Sequence, residues 1–178
     1  TQFAIRDVGL YEPVLELAAR TAREWTTQPT VLIAGLCGPT AQAVRDGAEE
    51  IDGVRASLYD LQGGEVTPFV DLIEEADGLA FGTPTINGDA VKPIWDLLSS
   101  LAVVKVSDKL GAAFGSYGWS GEGVNMVEDR LRGLKLRVPV KGLRVKLIPT
   151  EDELESCREL GRELARHLTG RVTRRVID

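Results

Sequence analysis

The chain has 178 residues, with 43% hydrophobic and 27% charged residues and a formal net charge of −6. This length and balance predict one globular domain with a sizeable core and a short appendage. The net acidic charge argues against general nucleic-acid binding, and the absence of a run of eighteen apolar residues argues against a membrane span. Cys37, Cys157 and a single histidine form neither a disulfide framework nor a His-rich metal site, which favours a reducing compartment.

The charge is unevenly distributed along the chain. Residues 1–129 carry 8 Lys and Arg against 20 Asp and Glu, whereas residues 130–178 carry 13 against 7. Two interpretations stay open. Either these are two solvated faces, or the basic end docks onto an acidic partner or a neighbouring domain.

The first predicted element stands apart from the rest. Apolar residues at helical spacing predict a helix from Leu10 to Trp25, and Gln28-Pro29 breaks the chain after it. We therefore expect residues 1–28 to be a helix and linker belonging to a preceding domain, and residues 29–178 to form the domain proper.

From residue 31 onwards, strand patterns alternate with helix patterns. Strands are predicted at 31–34, 54–59, 78–81 and 110–116 and, as two pieces split at Lys141-Gly142, within 134–148. Helices are predicted at 40–50, 67–75, 91–101, 122–131 and 151–168. This alternation predicts an α/β three-layer sandwich with a five-stranded parallel sheet of order 2-1-3-4-5. Such sheets bind ligands beyond the carboxyl ends of their strands.

Three loops follow strands that we expect to meet at this carboxyl edge. They have the sequences GLCGPT (residues 35–40), GTPTINGDA (82–90) and GSYGWSGEG (115–123). Their Gly, Thr, Ser and Asn residues permit close backbone approach to a ligand and supply neutral donors. The helix after the first loop offers its N-terminus to a phosphate, and Tyr117 and Trp119 offer rings for stacking.

Three longer stretches carry a more specific resemblance. GTPTINGDAVKPIWDLLSSL (82–101), AAFGSYGWSGEGV (112–124) and LRVKLIPTEDELESCRELGRELA (143–165) resemble the flavodoxin-like domain of flavodiiron proteins, also called A-type flavoproteins. The last stretch is most similar to the variants of oxygenic phototrophs. The resemblance runs from Pro29 to Leu168, and the helix ending in Trp25 is similar to the tail of the family's metallo-β-lactamase-like domain.

The resemblance implies a flavodoxin-like fold that binds FMN and relays electrons towards a di-iron centre in an absent domain. That centre reduces dioxygen or nitric oxide, so the fragment would be part of an oxidoreductase but only a redox relay by itself. A flavin-reductase domain follows in the phototroph variants, and the full protein is expected to be a homo- or hetero-oligomer. The compartment would be the cytoplasm or, in a plastid-bearing organism, the plastid stroma.

Carried over position by position, the resemblance assigns FMN-binding residues to all three loops, with no catalytic or metal-binding residue in this chain. They are Gly35, Leu36, Cys37, Gly38, Pro39 and Thr40 for the phosphate; Thr83, Pro84, Thr85, Ile86, Asn87 and Gly88 for the ring and ribityl chain; and Ser116, Tyr117, Gly118, Trp119, Ser120 and Gly121 flanking the ring.

The first loop departs from the family pattern S-x-Y-G-N-T. Gly35, Cys37 and Pro39 replace the Ser, the aromatic residue and the Asn, while Gly38 and Thr40 match. A lost hydroxyl and a lost amide donor predict weakened FMN binding. The main alternative is therefore a degenerate flavodoxin fold with weak or no FMN binding that acts as a structural or dimerisation module. A stand-alone FMN-dependent quinone or NAD(P)H reductase is a further alternative.

Overall fold

The computed structural model describes residues 30–35, 38–62, 67–101 and 104–175. The helix predicted at 10–25 and the boundary after residue 28 lie outside these ranges, so both remain predictions. Leu36 and Cys37, at the centre of the first loop, also lie outside them.

Seven strands and five helices follow one another in the described residues. The strands are β1 (Thr30–Gly35), β2 (Arg55–Asp60), β3 (Gly78–Gly82), β4 (Thr85–Ile86), β5 (Asp89–Ala90), β6 (Leu110–Tyr117) and β7 (Leu143–Lys146). The helices are α1 (Pro39–Glu49), α2 (Thr67–Glu75), α3 (Lys92–Ser100), α4 (Glu122–Gly133) and α5 (Glu151–Arg175).

Five of the strands form the parallel sheet that the alternation predicts. β1 pairs with β2 and β3, β3 pairs with β6, and β6 pairs with β7, which gives the order β2-β1-β3-β6-β7. If only the five parallel strands are numbered in chain order, β6 and β7 become strands 4 and 5, and the order is the predicted 2-1-3-4-5. The last strand is interrupted: Arg137 forms an isolated bridge with Leu110, and pairing resumes at Leu143 opposite Phe114.

A short antiparallel hairpin extends the sheet where the sequence predicts only a loop. β4 and β5 pair with each other, and Thr85 pairs with Tyr117 at the carboxyl end of β6. Asn87 and Gly88 connect the two strands with φ values of 53° and 76°. Positive φ at both central residues is what a two-residue type I′ turn requires, and Asn-Gly is its preferred sequence.

Helices cover both faces of the sheet. Alternate residues of β1 point to opposite sides: Leu32 and Ala34 join one buried cluster with residues of α2, α3 and α4, while Val31 and Ile33 join another with residues of α1 and α5. A strand buried on both faces reads as a continuous apolar run, which explains the sequence VLIAG.

The contact between α1 and α5 brings their backbones together. A Cβ atom added at Gly47 would lie 1.9 Å from the carbonyl oxygen of Arg158, and one added at Gly161 would lie 2.0 Å from that of Val44. Only glycine fits at these two crossing points. The Arg162 guanidinium also donates to Glu50, just after α1, at 2.8 Å. None of the described helices is long and apolar enough to cross a membrane.

Candidate functional site at the carboxyl edge

A cleft of about 370 Å³ opens at the carboxyl ends of the parallel strands. Four chain segments form its walls, one after each of β1, β3 and β7 and one at the end of β6. The lining residues are Gly38, Pro39 and Thr40; Gly82, Thr83 and Pro84; Phe114, Gly115 and Ser116; and Leu147, Ile148 and Pro149. The size is that of a small-molecule site, and the position is where a doubly wound sheet binds its ligand.

The first wall is the N-terminus of α1. Gly38 is the N-cap residue, in an extended conformation without a side-chain capping bond, and Pro39 occupies the first helical position. The first intrahelical bond runs from the Gln42 amide to the Gly38 carbonyl at 3.2 Å. The amides of Gly38, Thr40 and Ala41 therefore have no partner within the helix, and the helix dipole adds partial positive charge there.

Pro39 disturbs the N-terminus of α1 less than its departure from the family pattern S-x-Y-G-N-T predicts. Proline is favoured at the first helical position, because its fixed φ suits the helix and the amide that it lacks would have no intrahelical partner. Its cost to anion binding is thus one donor out of four, without strain in the helix. The predicted flaw at Pro39 is a missing hydrogen bond only.

Gly35 lies in the strand rather than in the loop. It is the last residue of β1, paired with Asp60 on one side and Gly82 on the other, and it does not line the cleft. A Cβ at Gly35 would approach the Gly82 carbonyl oxygen to 2.8 Å. The close approach of β1 and β3 therefore requires glycine, whereas the family pattern has serine at this position.

The second wall owes its shape to Thr83. Its side chain is 2% exposed, and its hydroxyl donates to the Pro84 carbonyl at 2.9 Å and accepts from the Val91 amide at 3.2 Å. The hydroxyl is therefore engaged in holding the segment before α3. Gly115 supports the same wall, because a Cβ there would lie only 1.7 Å from the Thr83 carbonyl oxygen.

The hairpin beyond Pro84 carries the remaining residues predicted for the second loop. Thr85 accepts a hydrogen bond from the Gly123 amide at 3.2 Å and so joins the hairpin to the start of α4. Ile86 is 56% exposed, and Asn87 and Gly88 form the turn. None of these four residues lines the cleft itself.

The third predicted loop begins at the end of β6. Ser116 lines the cleft, whereas the rest of the loop continues beyond it towards α4. Trp119 is 94% exposed, and Gly121 has a φ of 77° as the N-cap of α4. The Ser120 hydroxyl donates to Glu122 at 2.5 Å and is the main cause that lowers the pKa of this carboxyl. Tyr117 is the last residue of β6, and Gly118 and Ser120 follow it in this outer part of the loop.

The fourth wall, after β7, contains residues that the sequence did not single out. Leu147 and Ile148 are 64% and 87% exposed although they are large and apolar, and Pro149 completes the segment. Leu147 has a φ of 58°, which is uncommon for a leucine, and its amide donates to the Tyr117 carbonyl at 2.8 Å. The signal that could have identified this segment is the strand order, which places the loop after the last parallel strand at the same edge as the other three loops.

The lining residues fit FMN in character. All twelve are uncharged, and the hydroxyls of Thr40 and Ser116 supply neutral donors. A phosphate at the N-terminus of α1 would bind through amides and the helix dipole, as phosphates do at many such helices. The exposed apolar side chain of Ile148, in the fourth wall, offers contact area to a flat ring.

Several other side chains have structural partners. The Asp89 carboxylate accepts from the Ala90 amide and from the Trp95 indole at 2.7 and 2.9 Å, which identifies it as a hairpin anchor. Cys157 is fully buried between α5 and the sheet, and burial raises the pKa of its thiol to about 11. Among the described residues, no group of His, Cys, Asp and Glu is arranged to hold a metal ion.

Comparison with known proteins agrees with this architecture. The sequence profile of the flavodoxin family matches residues 37–161. A type A flavoprotein, fprA, of Rhodobacter capsulatus is 57% identical over 167 residues, which cover 91% of this chain and 38% of the relative. A nitric oxide reductase of Moorella thermoacetica is 32% identical over 126 residues, or 70% of this chain and 31% of the relative.

A solved structure, the metal-soaked flavodiiron core of Flv1 from Synechocystis, is similar with a TM-score of 0.74 and 28% sequence identity. The match covers 88% of this chain and 41% of that one. The chain thus spans about two fifths of the length of these larger proteins or less.

Proposed function

This chain belongs to the flavodoxin family, and from that membership and the geometry of the cleft we propose that it is the FMN-binding electron-transfer domain of a flavodiiron oxidoreductase. In the proposal, a di-iron centre elsewhere in the protein receives the electrons and reduces dioxygen or nitric oxide. Three similarities support it: to a type A flavoprotein, to a nitric oxide reductase and to a flavodiiron core. In each case the relative is much longer than this chain.

The observation that carries the proposal is the meeting of a helix N-terminus with three neutral loop segments in one cleft. When bound, FMN supplies chemistry that accepts and passes electrons singly or in pairs. The chain's own residues bind and orient it. In the proposal, the amides of Gly38, Thr40 and Ala41 hold the phosphate, and the Thr40 and Ser116 hydroxyls add neutral hydrogen bonds.

The walls also limit access of water to the bound ring. Phe114 and Pro84 contribute apolar side chains to the lining of the cleft, as do Leu147 and Ile148 in the fourth wall. A less hydrated site strengthens each hydrogen bond to the phosphate and ring edge, since the local dielectric falls. This compensates in part for the donor that Pro39 lacks.

Titration of the purified chain with FMN and with riboflavin tests the proposal. We expect FMN to bind with quenching of its fluorescence, and riboflavin to bind more weakly because it has no phosphate for the α1 amides. Restoring a donor in Pro39→Asn should tighten FMN binding about tenfold, the value of one hydrogen bond to a charged group. Pro139→Asn, at an exposed site outside the cleft, is the matched control and should leave binding unchanged.

The alternative of a degenerate structural or dimerisation module makes the opposite prediction. In that case the purified protein is colourless and leaves added FMN fluorescent at high micromolar concentration, and Pro39→Asn changes nothing. Equal affinity for FMN and riboflavin would show instead that the ring binds but that the N-terminus of α1 does not hold the phosphate.

A further inference from the structure

One edge of the sheet concentrates positive charge on an otherwise acidic chain. Between Asp129 and Glu151 the sequence contains seven Lys and Arg residues and no Asp or Glu, whereas the chain as a whole carries −6. This segment comprises the end of α4, the connection after it, and β7. β7 is the outermost parallel strand beside β6.

Strand register arranges four of these cations along the sheet edge. Arg137 lies opposite Leu110, Arg144 opposite Gly115 and Lys146 opposite Tyr117, with Lys141 in the connection between them. The first and last of these partners, Leu110 and Tyr117, are seven positions apart along β6, which corresponds to roughly 23 Å. We refer to Arg137, Lys141, Arg144 and Lys146 as the basic edge. All four side chains are exposed.

The basic edge is weakly neutralised by the chain itself. In the described ranges, none of its four residues lies within ion-pair distance of a carboxylate, although Arg132 nearby is paired with Glu128 and Asp129. Two carboxylates interact with the basic edge less directly: Glu122 interacts with Arg144 more weakly than with Ser120, and Glu153 interacts with the backbone of Lys146. A positive field therefore extends from this edge into solvent.

The basic edge leads to an exposed apolar pair at the cleft. Lys146 is followed directly by Leu147 and Ile148, which line the fourth wall and remain largely exposed. Cations on β7 would protect a free sheet edge from pairing with other strands. Edge protection does not account for Arg137 and Lys141, which lie outside β7, or for the exposed Leu-Ile pair. Apolar residues bordered by cations are typical of a protein interface.

We propose that the basic edge, together with Leu147 and Ile148, is the docking surface for an acidic electron-donor protein. This inference rests on the proposed function, because the surface ends at the mouth of the cleft where electrons would enter. The negative charge of the rest of the chain repels an acidic partner elsewhere, so attraction at the edge orients the encounter as well as accelerating it. The apolar pair then provides short-range contact.

Neutralising the edge tests the proposal against a control of equal net charge. The test variant is Arg137→Gln/Lys141→Gln/Lys146→Gln, and the control is Arg45→Gln/Lys105→Gln/Arg166→Gln, which removes three exposed or half-exposed cations from other surfaces. The probe is a plant-type [2Fe–2S] ferredoxin, a small acidic electron carrier, with cytochrome c as a basic counterpart. Binding is measured by titration calorimetry, both without and with FMN, at low and at physiological ionic strength.

We expect the chain to bind ferredoxin but not cytochrome c at the edge, with affinity that decreases as salt increases. The test variant should lose about tenfold in ferredoxin affinity, and the control much less. Ile148→Ser, which keeps every charge, should weaken binding at both salt concentrations. With FMN bound, reduction of the FMN by reduced ferredoxin should be slower in the test variant than in the control variant.

Equal losses in the test and control variants would overturn the proposal, since net charge would then explain the binding. The proposal would also be overturned if a 20-nucleotide DNA or phosphatidylserine vesicles bound more tightly than ferredoxin and lost affinity in the test variant. The partner would then belong to another class. Ferredoxin binding is measured without FMN as well as with it. If the chain bound ferredoxin at the edge but did not bind FMN, the result would contradict the proposed function and leave the docking surface standing.

Discussion

The backbone contact between α5 and α1 makes Gly161, like Gly47, a position outside the cleft where only glycine fits. A Cβ at this position would lie 2.0 Å from the Val44 carbonyl oxygen and 2.8 Å from the Ala48 amide nitrogen, both backbone atoms that cannot rotate away. Ordinary contacts begin at 3.4 Å. In Gly161→Ala the helices must therefore separate by about 1.4 Å, which loosens the buried surface between them.

The size of the effect follows from two opposing contributions. Overpacking of this kind costs about 1–3 kcal/mol, whereas replacing glycine by alanine within a helix gains up to about 1 kcal/mol. Gly170, also in α5, provides the control, because a Cβ there meets nothing within 4 Å. Gly170→Ala should thus be stabilising. Because both variants share the helix gain, they should differ by the overpacking cost alone, about 1–3 kcal/mol in free energy of unfolding.

Urea denaturation followed by circular dichroism measures this difference. With a slope of about 2 kcal/mol per molar urea, the midpoints of the two variants should be separated by about 1 M. We also expect Gly161→Ala to weaken FMN binding, because α1 carries the amides at the cleft on its N-terminus. Coincident midpoints for Gly161→Ala and Gly170→Ala would refute the inferred backbone contact.

Three further changes test other parts of the structure. Thr150 and Glu153 form a capping box at the start of α5, in which the Thr150 amide and hydroxyl donate to the Glu153 carboxylate and lower its pKa. Stability from this ionised group is present above its unfolded pKa and is lost as pH falls through the folded pKa, so Glu153→Gln should lower the unfolding free energy at pH 7 and flatten its decline below about pH 4.5, where the two proteins should become equally stable. In a Cys37→Ser variant, Cys157 should resist thiol reagents at pH 8 until the protein unfolds, because burial raises the pKa of its thiol to about 11. Rapid labelling of Cys157 in the folded protein would contradict its burial. Leu147→Gly should raise the free energy of unfolding by up to about 1 kcal/mol in thermal or urea melts, since glycine accepts the positive φ at that position. A loss of stability would show that the leucine side chain contributes more than its backbone strain costs.

The order of the sheet was predictable because each parallel strand is a short apolar run separated from the next by a helical pattern. Residues 31–35 of β1 and all of β3 are buried, and their sequences VLIAG and GLAFG contain no polar side chain. The predicted order 2-1-3-4-5 is confirmed. Strand ends are less well defined by pattern, which is why Gly35 was expected in the loop although its pairing with Gly82 extends β1 by one residue.

Two features required the tertiary structure. The β4–β5 hairpin has strands of two residues each, too short for an alternating pattern, although Asn87-Gly88 is a strong local indication of a type I′ turn. The fourth wall of the cleft depends on β7 continuing beside β6 as far as Lys146, opposite Tyr117. Only this pairing brings Leu147 and Ile148 next to the loops that the sequence had marked.

The structure changes how the weakness of the first loop should be understood. Pro39 removes one amide from the N-terminus of α1, and no lining residue of the cleft carries a charge that could replace it. At the phosphate site that we propose, binding would depend on three amides and on the helix dipole, whose contribution falls off within one turn. Such a site tolerates little displacement of the helix. The glycines at 47 and 161 hold α1 against α5 at backbone distance, so the rigidity that the phosphate site needs comes from the opposite end of that helix.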